Sequence, residues 1–240
     1  MKKIIHRAED RGHADHGWLK AHHSFSFASY NDMSKVHFGE LRVLNDDSVA
    51  PGMGFGKHPH DNMEIVTIPL SGAIKHADSM GNQGIIKAGD VQIMSAGKGI
   101  MHSEFNASTS EFLNLFQIWV FPKVRNIEPR YDQKTFSAED RKGKFQVLVS
   151  PDKTEGSMWV NQDVWFNLGD FTVGQEISYE PKLKGNGLYL MVVNGEVEVA
   201  GETLKKRDAI GLWDLGKADI KMNSDAELLI IDVPMIYDKN

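Results

Sequence analysis

Phe112-Leu113-Asn114-Leu115-Phe116-Gln117-Ile118-Trp119-Val120-Phe121, closed by Pro122, is the stretch on which the fold turns. It is apolar except at Asn114 and Gln117. A ten-residue helix and a strand are the competing readings of such a run. Its crowding with aromatic residues and its terminating proline favour the strand. A strand apolar on both sides of its pleat is buried on both faces, as when sheets sandwich or close into a barrel. Outward from this run the same pattern recurs. Short apolar runs are separated by Asn45-Asp46-Asp47, Met80-Gly81-Asn82 and Val193-Asn194-Gly195, residues that favour tight turns. Ser137-Ala138-Glu139-Asp140 is the one convincing helical opening, a short capped turn. The polar, charged segment from Pro122 to Gly143 reads as a linker.

The composition belongs to a folded protein: 240 residues, 41% hydrophobic and 25% charged. The net charge is −6 and the pI near 5.9. The longest basic run is Lys205-Lys206-Arg207, so nucleic acid is not expected as a direct partner. Cysteine is absent, which removes disulfides, thiolate metal sites and a thiol nucleophile together. The first ten residues lack an apolar core of signal length, and no stretch approaches the ~20 apolar residues of a membrane span. The expectation is a cytoplasmic protein without a membrane partner.

The chain repeats itself. Leu70-Ser71-Gly72-Ala73-Ile74 is echoed by Val193-Asn194-Gly195-Glu196-Val197, and Ala88-Gly89-Asp90-Val91 by Lys206-Arg207-Asp208-Ala209. Ser95-Ala96-Gly97 is echoed by Asp214-Leu215-Gly216, and the run ending at Pro122 by Leu228 to Pro234. Four matches in one order point to two copies of a β unit in tandem. Asp90 and Asp208, at matching places, read as turn-stabilising acids.

The two copies differ in chemistry. All ten histidines lie in the first 102 residues, and residues 103–240 contain neither histidine nor cysteine. A nitrogen-ligated transition metal therefore belongs to the N-terminal half. His58-Pro59-His60 puts two imidazoles at i and i+2, on one face of an extended strand. His102-Ser103-Glu104 repeats that parity with an imidazole and a carboxylate. If the two strands face one another inside a barrel, three nitrogens and one oxygen converge. Such a set suits Fe(II), Mn(II), Ni(II), Cu(II) or Zn(II) and leaves room for water, dioxygen or substrate. Glu64 is in phase with residues 58 and 60, and parity alone does not separate it from the ligands. Other features read as structural. Gly52-x-Gly54-x-Gly56 lacks the context of a phosphate loop. His13, His16, His22 and His23 read as a solvated segment, His37 and His76 as single hydrogen-bonded histidines, and Phe25 and Phe27 as core.

Gly52, His58-x-His60 and Glu64 resemble the first motif of the cupin superfamily, and His102 with Asn106 resembles the second. More specifically, residues 49–60 (Val-Ala-Pro-Gly-Met-Gly-Phe-Gly-Lys-His-Pro-His) and 90–104 (Asp-Val-Gln-Ile-Met-Ser-Ala-Gly-Lys-Gly-Ile-Met-His-Ser-Glu) are similar to the pirin family, particularly bacterial members described as quercetin dioxygenases. The resemblance implies an all-β bicupin of two jelly-roll barrels. Residues 1–130 would be the metal-binding domain, and 131–240 a cupin domain without ligands. It implies His58, His60, His102 and Glu104 as ligands of one divalent transition metal, Fe(II) first, with Mn, Ni, Cu or Zn as alternatives. Ordinary cupins take their carboxylate from the position of Glu64, so the resemblance moves that role to Glu104.

The activity so implied is dioxygenation of a flavonol such as quercetin, opening its central ring with release of carbon monoxide. Glu104 would be the catalytic base that accepts the proton of the 3-hydroxyl. Two other classes follow from the same resemblance. One is a non-enzymatic regulator that binds a protein partner according to the metal's redox state. The other is an isomerase or lyase using the ion as a Lewis acid. No serine sits in a nucleophile turn, which disfavours a hydrolytic triad. Oligomeric state is left open.

Overall fold

A computed structural model describes residues 1–152 and 156–235. Among them are twenty-two strands, which form two seven-stranded and two four-stranded sheets. The decisive run is the strand Leu113–Val120, hydrogen-bonded to Leu41–Val49 on one side and Glu64–Ser71 on the other. Its pleat divides its side chains as the sequence requires. Phe116, Ile118 and Val120 enter a core shared between the two halves, while Leu113 and Leu115 face the interior of the N-terminal barrel. Asn186–Asn194 does the same in the second half: Tyr189, Met191 and Val193 join the shared core, and Leu188, Leu190 and Val192 the C-terminal barrel. Both strands are apolar on both faces because each seven-stranded sheet is sandwiched.

The halves correspond strand for strand. The N-terminal seven-stranded sheet runs in the order Arg130–Thr135, Asp90–Ser95, Glu64–Ser71, Leu113–Val120, Leu41–Val49, Leu19–His23, Gly12–Asp15. The C-terminal one runs Lys2–His6, Ala209–Trp213, Asn186–Asn194, Ala226–Pro234, Trp165–Phe171, Phe145–Ser150, Met158–Trp159. The four-stranded sheets are Gly54–His60, Ile100–Asn106, Ala73–Asp78, Gln83–Lys87 and, in the second half, Glu176–Tyr179, Ala218–Met222, Glu196–Val199, Glu202–Lys205. This is the bicupin jelly-roll architecture.

The first strand of each half is exchanged. Lys2–His6 pairs with Ala209–Trp213 in the second half, and Arg130–Thr135 pairs with Asp90–Ser95 in the first. The segment from Pro122 to Gly143 thus carries a strand, one that alternation could not reveal because its side chains are nearly all polar. Both exchanges are secured by the aspartates that the repeat singled out. Asp90 accepts from the Lys87 amide (2.9 Å) and the Thr135 hydroxyl (2.6 Å). Asp208 accepts from the Lys205 amide (3.0 Å) and the Ala8 amide (2.8 Å). Each acid therefore binds both its own turn and the visiting segment, with Gln133 Nε2 (3.3 Å to Asp90) and Arg7 Nη1 (3.1 Å to Asp208) adding to the second contact. The Ser137 turn forms the short 3-10 helix Ala138–Arg141, with the Ser137 hydroxyl accepting from the Glu139 amide.

The barrel interiors differ. In the C-terminal one, Tyr179, Leu188, Leu190, Ile220, Met222 and Ile230 pack into a continuous apolar filling. In the N-terminal one, apolar clusters around Ile74, Ile86 and Leu115 and around Ile65, Met94 and Ile100 lie apart from each other. Among the described residues, no helix is long and apolar enough to cross a membrane.

Candidate metal centre

The His-x-His and His-x-Glu strands are neighbours in one sheet rather than facing walls of the barrel. Gly54–His60 is an edge strand paired only with Ile100–Asn106, which is why Pro59, lacking an amide proton, is accommodated there. His102 lies opposite His58 in the register. A bulge then shifts the pairing so that Glu104 lies opposite Phe55. Bulges commonly re-aim side chains beside functional sites.

The result is a cluster of three imidazoles. The ring centroids of His58 and His102 are 4.4 Å apart, those of His58 and His60 4.9 Å, and those of His60 and His102 4.8 Å. The Nε2 atoms of His58 and His102 face each other at 3.0 Å. His58 Nδ1 lies 2.8 Å from the Gly56 carbonyl, which can only accept, so the neutral ring carries its proton on Nδ1 and turns the Nε2 lone pair inward. Burial and the neighbouring His58 lower the pKa of His60 to about 4. Burial, with the adjacent imidazoles, holds His102 far below the usual histidine range. Both rings are therefore neutral at physiological pH, the state in which imidazole binds a metal.

Glu104 is buried on the inner side of this cluster, and its Oε2 accepts from Gln117 Nε2 at 2.8 Å. Its Oε1 has no hydrogen-bond partner. Burial raises its pKa to about 7, an effect that the Gln117 bond offsets only in part. A carboxyl poised near neutrality can take up or release a proton under ordinary conditions. Among the described residues, two groups have donor atoms mutually within 4.8 Å: His58, His60 and His102, and His76, His102 and Glu104. His102 is common to both.

His76 was legible only as a single histidine, since no in-phase partner accompanies it. The fold places it directly opposite Glu104 in the register, with its ring 5.5 Å from that of His102. It stacks on Tyr131, from the exchanged strand, at 4.6 Å and 19°. Gln92 Nε2 approaches its Nδ1 at 3.3 Å, and its own Nε2 lies 3.5 Å from Asp78.

Glu64 is fully buried elsewhere, its Oε2 accepting from the Ser95 hydroxyl (2.6 Å) and the Asn161 amide (3.1 Å). It belongs to neither donor group and bridges the two halves instead. Asn106 organises the following loop, donating to the carbonyls of Val49 (3.0 Å) and Glu111 (2.8 Å). Of the four clustered N-terminal histidines, His13 is exposed and packs on half-buried His22 at 5.0 Å. His23, by contrast, is buried and lies 2.8 Å from Asn45 Oδ1. Phe25 is core, as its alternation suggested, whereas half-buried Phe27 packs edge-on against Trp119 at 5.3 Å. Trp119 in turn meets His60 edge-on at 4.9 Å, and the Phe55 ring stands 6.3 Å from that of His58.

Comparisons with known proteins agree over both halves. The family model described as Pirin matches residues 5–120, and the one described as Quercetinase C-terminal cupin domain matches residues 147–233. The chain is 43% identical to quercetin 2,3-dioxygenase of Escherichia coli (strain K12) over 236 residues, covering 97% of this chain and 99% of that protein. It is also 43% identical to a pirin-like protein of Caulobacter vibrioides over 222 residues, covering 92% of this chain and 95% of the relative. The crystal structure of the bacterial pirin YhhW from Escherichia coli in complex with nickel(II) superposes with a TM-score of 0.93 at 40% identity, covering 98% of this chain and 100% of that one. On this evidence the chain belongs to the pirin family.

Proposed function

We propose that the chain is a metal-dependent dioxygenase of flavonols, with His58, His60, His102 and Glu104 as the ligands of one divalent transition metal and Glu104 as its catalytic base. The observation that carries the reading is the pair of Nε2 atoms at 3.0 Å, with the third imidazole against both rings. Two Nε2 atoms this close need either an N–H on one of them or a cation between them, and three imidazoles converging at that point form a nitrogen donor set that fits a metal. The name and similarity of the Escherichia coli relative, and the nickel(II) complex of the bacterial pirin, support the same choice. Fe(II) is the first candidate for the ion, with Mn, Ni, Cu and Zn as alternatives. When bound, such a metal supplies Lewis acidity and access to dioxygen.

The chain's own residues do the rest. The three imidazoles contribute no charge, so the centre keeps a net positive charge that favours an anionic oxygen ligand. A flavonol becomes such a ligand by losing its 3-hydroxyl proton, and Glu104 Oε1, which has no protein partner, is the acceptor. Burial has already brought Glu104 to a pKa of about 7, which suits a base at neutral pH. Trp119 beside His60 and Phe55 beside His58 would offer apolar surface to a planar aromatic substrate.

The test is turnover with product identification. Protein reloaded separately with Fe(II), Mn(II), Ni(II) or Cu(II) should bleach the long-wavelength absorbance of quercetin in air and stop when oxygen is removed. Carbon monoxide should appear in step with substrate loss, because bleaching alone also follows autoxidation. No carbon monoxide above a metal-only control, for any metal, would overturn the flavonol reading.

A further inference from the structure

Behind Glu104, the seven-stranded sheet presents a row of polar residues where a barrel interior is ordinarily apolar. Register pairs run from Gln133 to Gln92, Thr67, Gln117, Asn45 and His23, across six consecutive strands. The neighbouring row on the same face is Met94, Ile65, Trp119 and Val43, all apolar or aromatic. Two amides of the polar row cross the barrel to the opposite sheet. Gln117 Nε2 donates to Glu104 Oε2 at 2.8 Å, and Gln92 Nε2 approaches His76 Nδ1 at 3.3 Å. Their targets, Glu104 and His76, are themselves opposite each other in the register. Thr67 lies between the two glutamines, so these are parallel rungs spanning the interior.

Such a layer has no packing rationale. Thr67 Oγ1 and Gln92 Oε1 are buried without partners, and an unsatisfied buried polar group costs about 1–3 kcal/mol. The row is accounted for if its amides are needed where they point. Of the two glutamines, Gln117 alone holds a carboxylate. It engages one oxygen of Glu104 and leaves the other without a hydrogen-bond partner.

We propose that Gln117 is a positioning residue of the metal centre: its amide fixes Glu104 in the one orientation from which the carboxylate serves the three-imidazole cluster. The inference rests on the metal-centre reading above. Gln117 belongs to neither donor group, and in this reading it acts through Glu104. Hydrogen-bond partners of ligating groups, when removed, typically cost roughly 10–100-fold in metal affinity.

The experiment is a double-mutant cycle read by metal affinity, with Ni(II) titrated against a coloured chelator and Co(II) as a spectroscopic probe. Gln117→Met keeps the length and volume of the side chain but removes the donor. It should weaken Ni(II) binding by roughly 10–100-fold. It should also move the visible Co(II) bands in the direction that Glu104→Gln moves them. The double variant should bind no more weakly than Glu104→Gln alone, because nothing remains for Gln117 to orient. Should Gln117→Met fail to fold, Gln117→Leu likewise removes the donor without adding charge and should lower affinity to a similar extent. Affinity and Co(II) bands unchanged in the position-117 variants, or losses that add in the double variant, would overturn the proposal. A wild-type chain that bound no metal would overturn the metal centre itself, a different and distinguishable failure.

Discussion

Replacing Asp208 by Ala should loosen the exchanged N-terminal strand, with a magnitude that follows from three bonds. The carboxylate accepts from the Lys205 amide at 3.0 Å, the Ala8 amide at 2.8 Å and Arg7 Nη1 at 3.1 Å. Hydrogen bonds to a charged group contribute about 1.5–3 kcal/mol each. The lower end applies to the two amide bonds because they are part-buried. The Arg7 guanidinium is a third exposed, so its ion pair adds at most about 1 kcal/mol. The expected loss is therefore about 3 kcal/mol. Asp208→Asn, which keeps one acceptor, should lose less. The assay is amide hydrogen exchange, since local opening of Lys2–His6 should be promoted before global unfolding. Only the Ala8 and Arg7 bonds tie the visiting strand itself, together about 1.5–2.5 kcal/mol, so at 1.4 kcal/mol per tenfold its exchange should quicken roughly ten- to sixtyfold. Amides of Lys2–His6 exchanging as in wild type would refute the clamp. The matching Asp90→Ala variant should act in the same way on Arg130–Thr135, where the Thr135 hydroxyl bond is lost.

Asp47, buried inside the N-terminal barrel, has its pKa raised to about 8 by burial first and by Asp46 and Glu104 next. The folded form then binds a proton that the unfolded form releases above its ordinary value of 3.8, so wild-type stability falls as pH rises through that window. In urea denaturation, Asp47→Asn should gain on wild type between about pH 4 and 8, and a flat difference would contradict this. Gly97 has φ +49°, and a Cβ there would collide with the Ile127 carbonyl. Gly97→Ala should lower Tm by about 4 °C or more, with soluble protein of wild-type Tm as the contrary result. His58→Ala with His60→Ala should abolish one-to-one metal binding while circular dichroism stays that of a folded β protein, because the core is built from other residues. Unchanged metal content in that double variant would remove those two histidines from the site.

The sequence was most readable where the physics is local. Parity alone put His58 with His60 and His102 with Glu104, and the apolar run at 112–121 forms a sandwiched strand because its alternate residues belong to different cores. Turn residues exposed the repeat, down to the equivalent acids Asp90 and Asp208. What escaped is pairing between distant strands. The exchange of Arg130–Thr135 leaves no trace in its own polar sequence, although the Asp90–Thr135 bond spans 45 residues. His76 gains its place only from being opposite Glu104. Glu64 is in phase with the histidines yet lies across the barrel wall from them, because the chain turns between Gly54–His60 and Glu64–Ser71 and enters a different sheet. The polar row of Gln92, Thr67 and Gln117 is likewise a product of register, invisible in any one strand.

The central claim is that a transition metal is held by the imidazoles of His58, His60 and His102 in the N-terminal barrel. Anomalous diffraction from crystals of the Ni(II)-loaded protein, recorded on both sides of the metal's absorption edge, tests it most directly. One dominant peak is expected among the three rings, about 2.0–2.2 Å from ligating nitrogens. A dominant peak in the C-terminal half or beside His13 and His22, with none among the three rings, would contradict it.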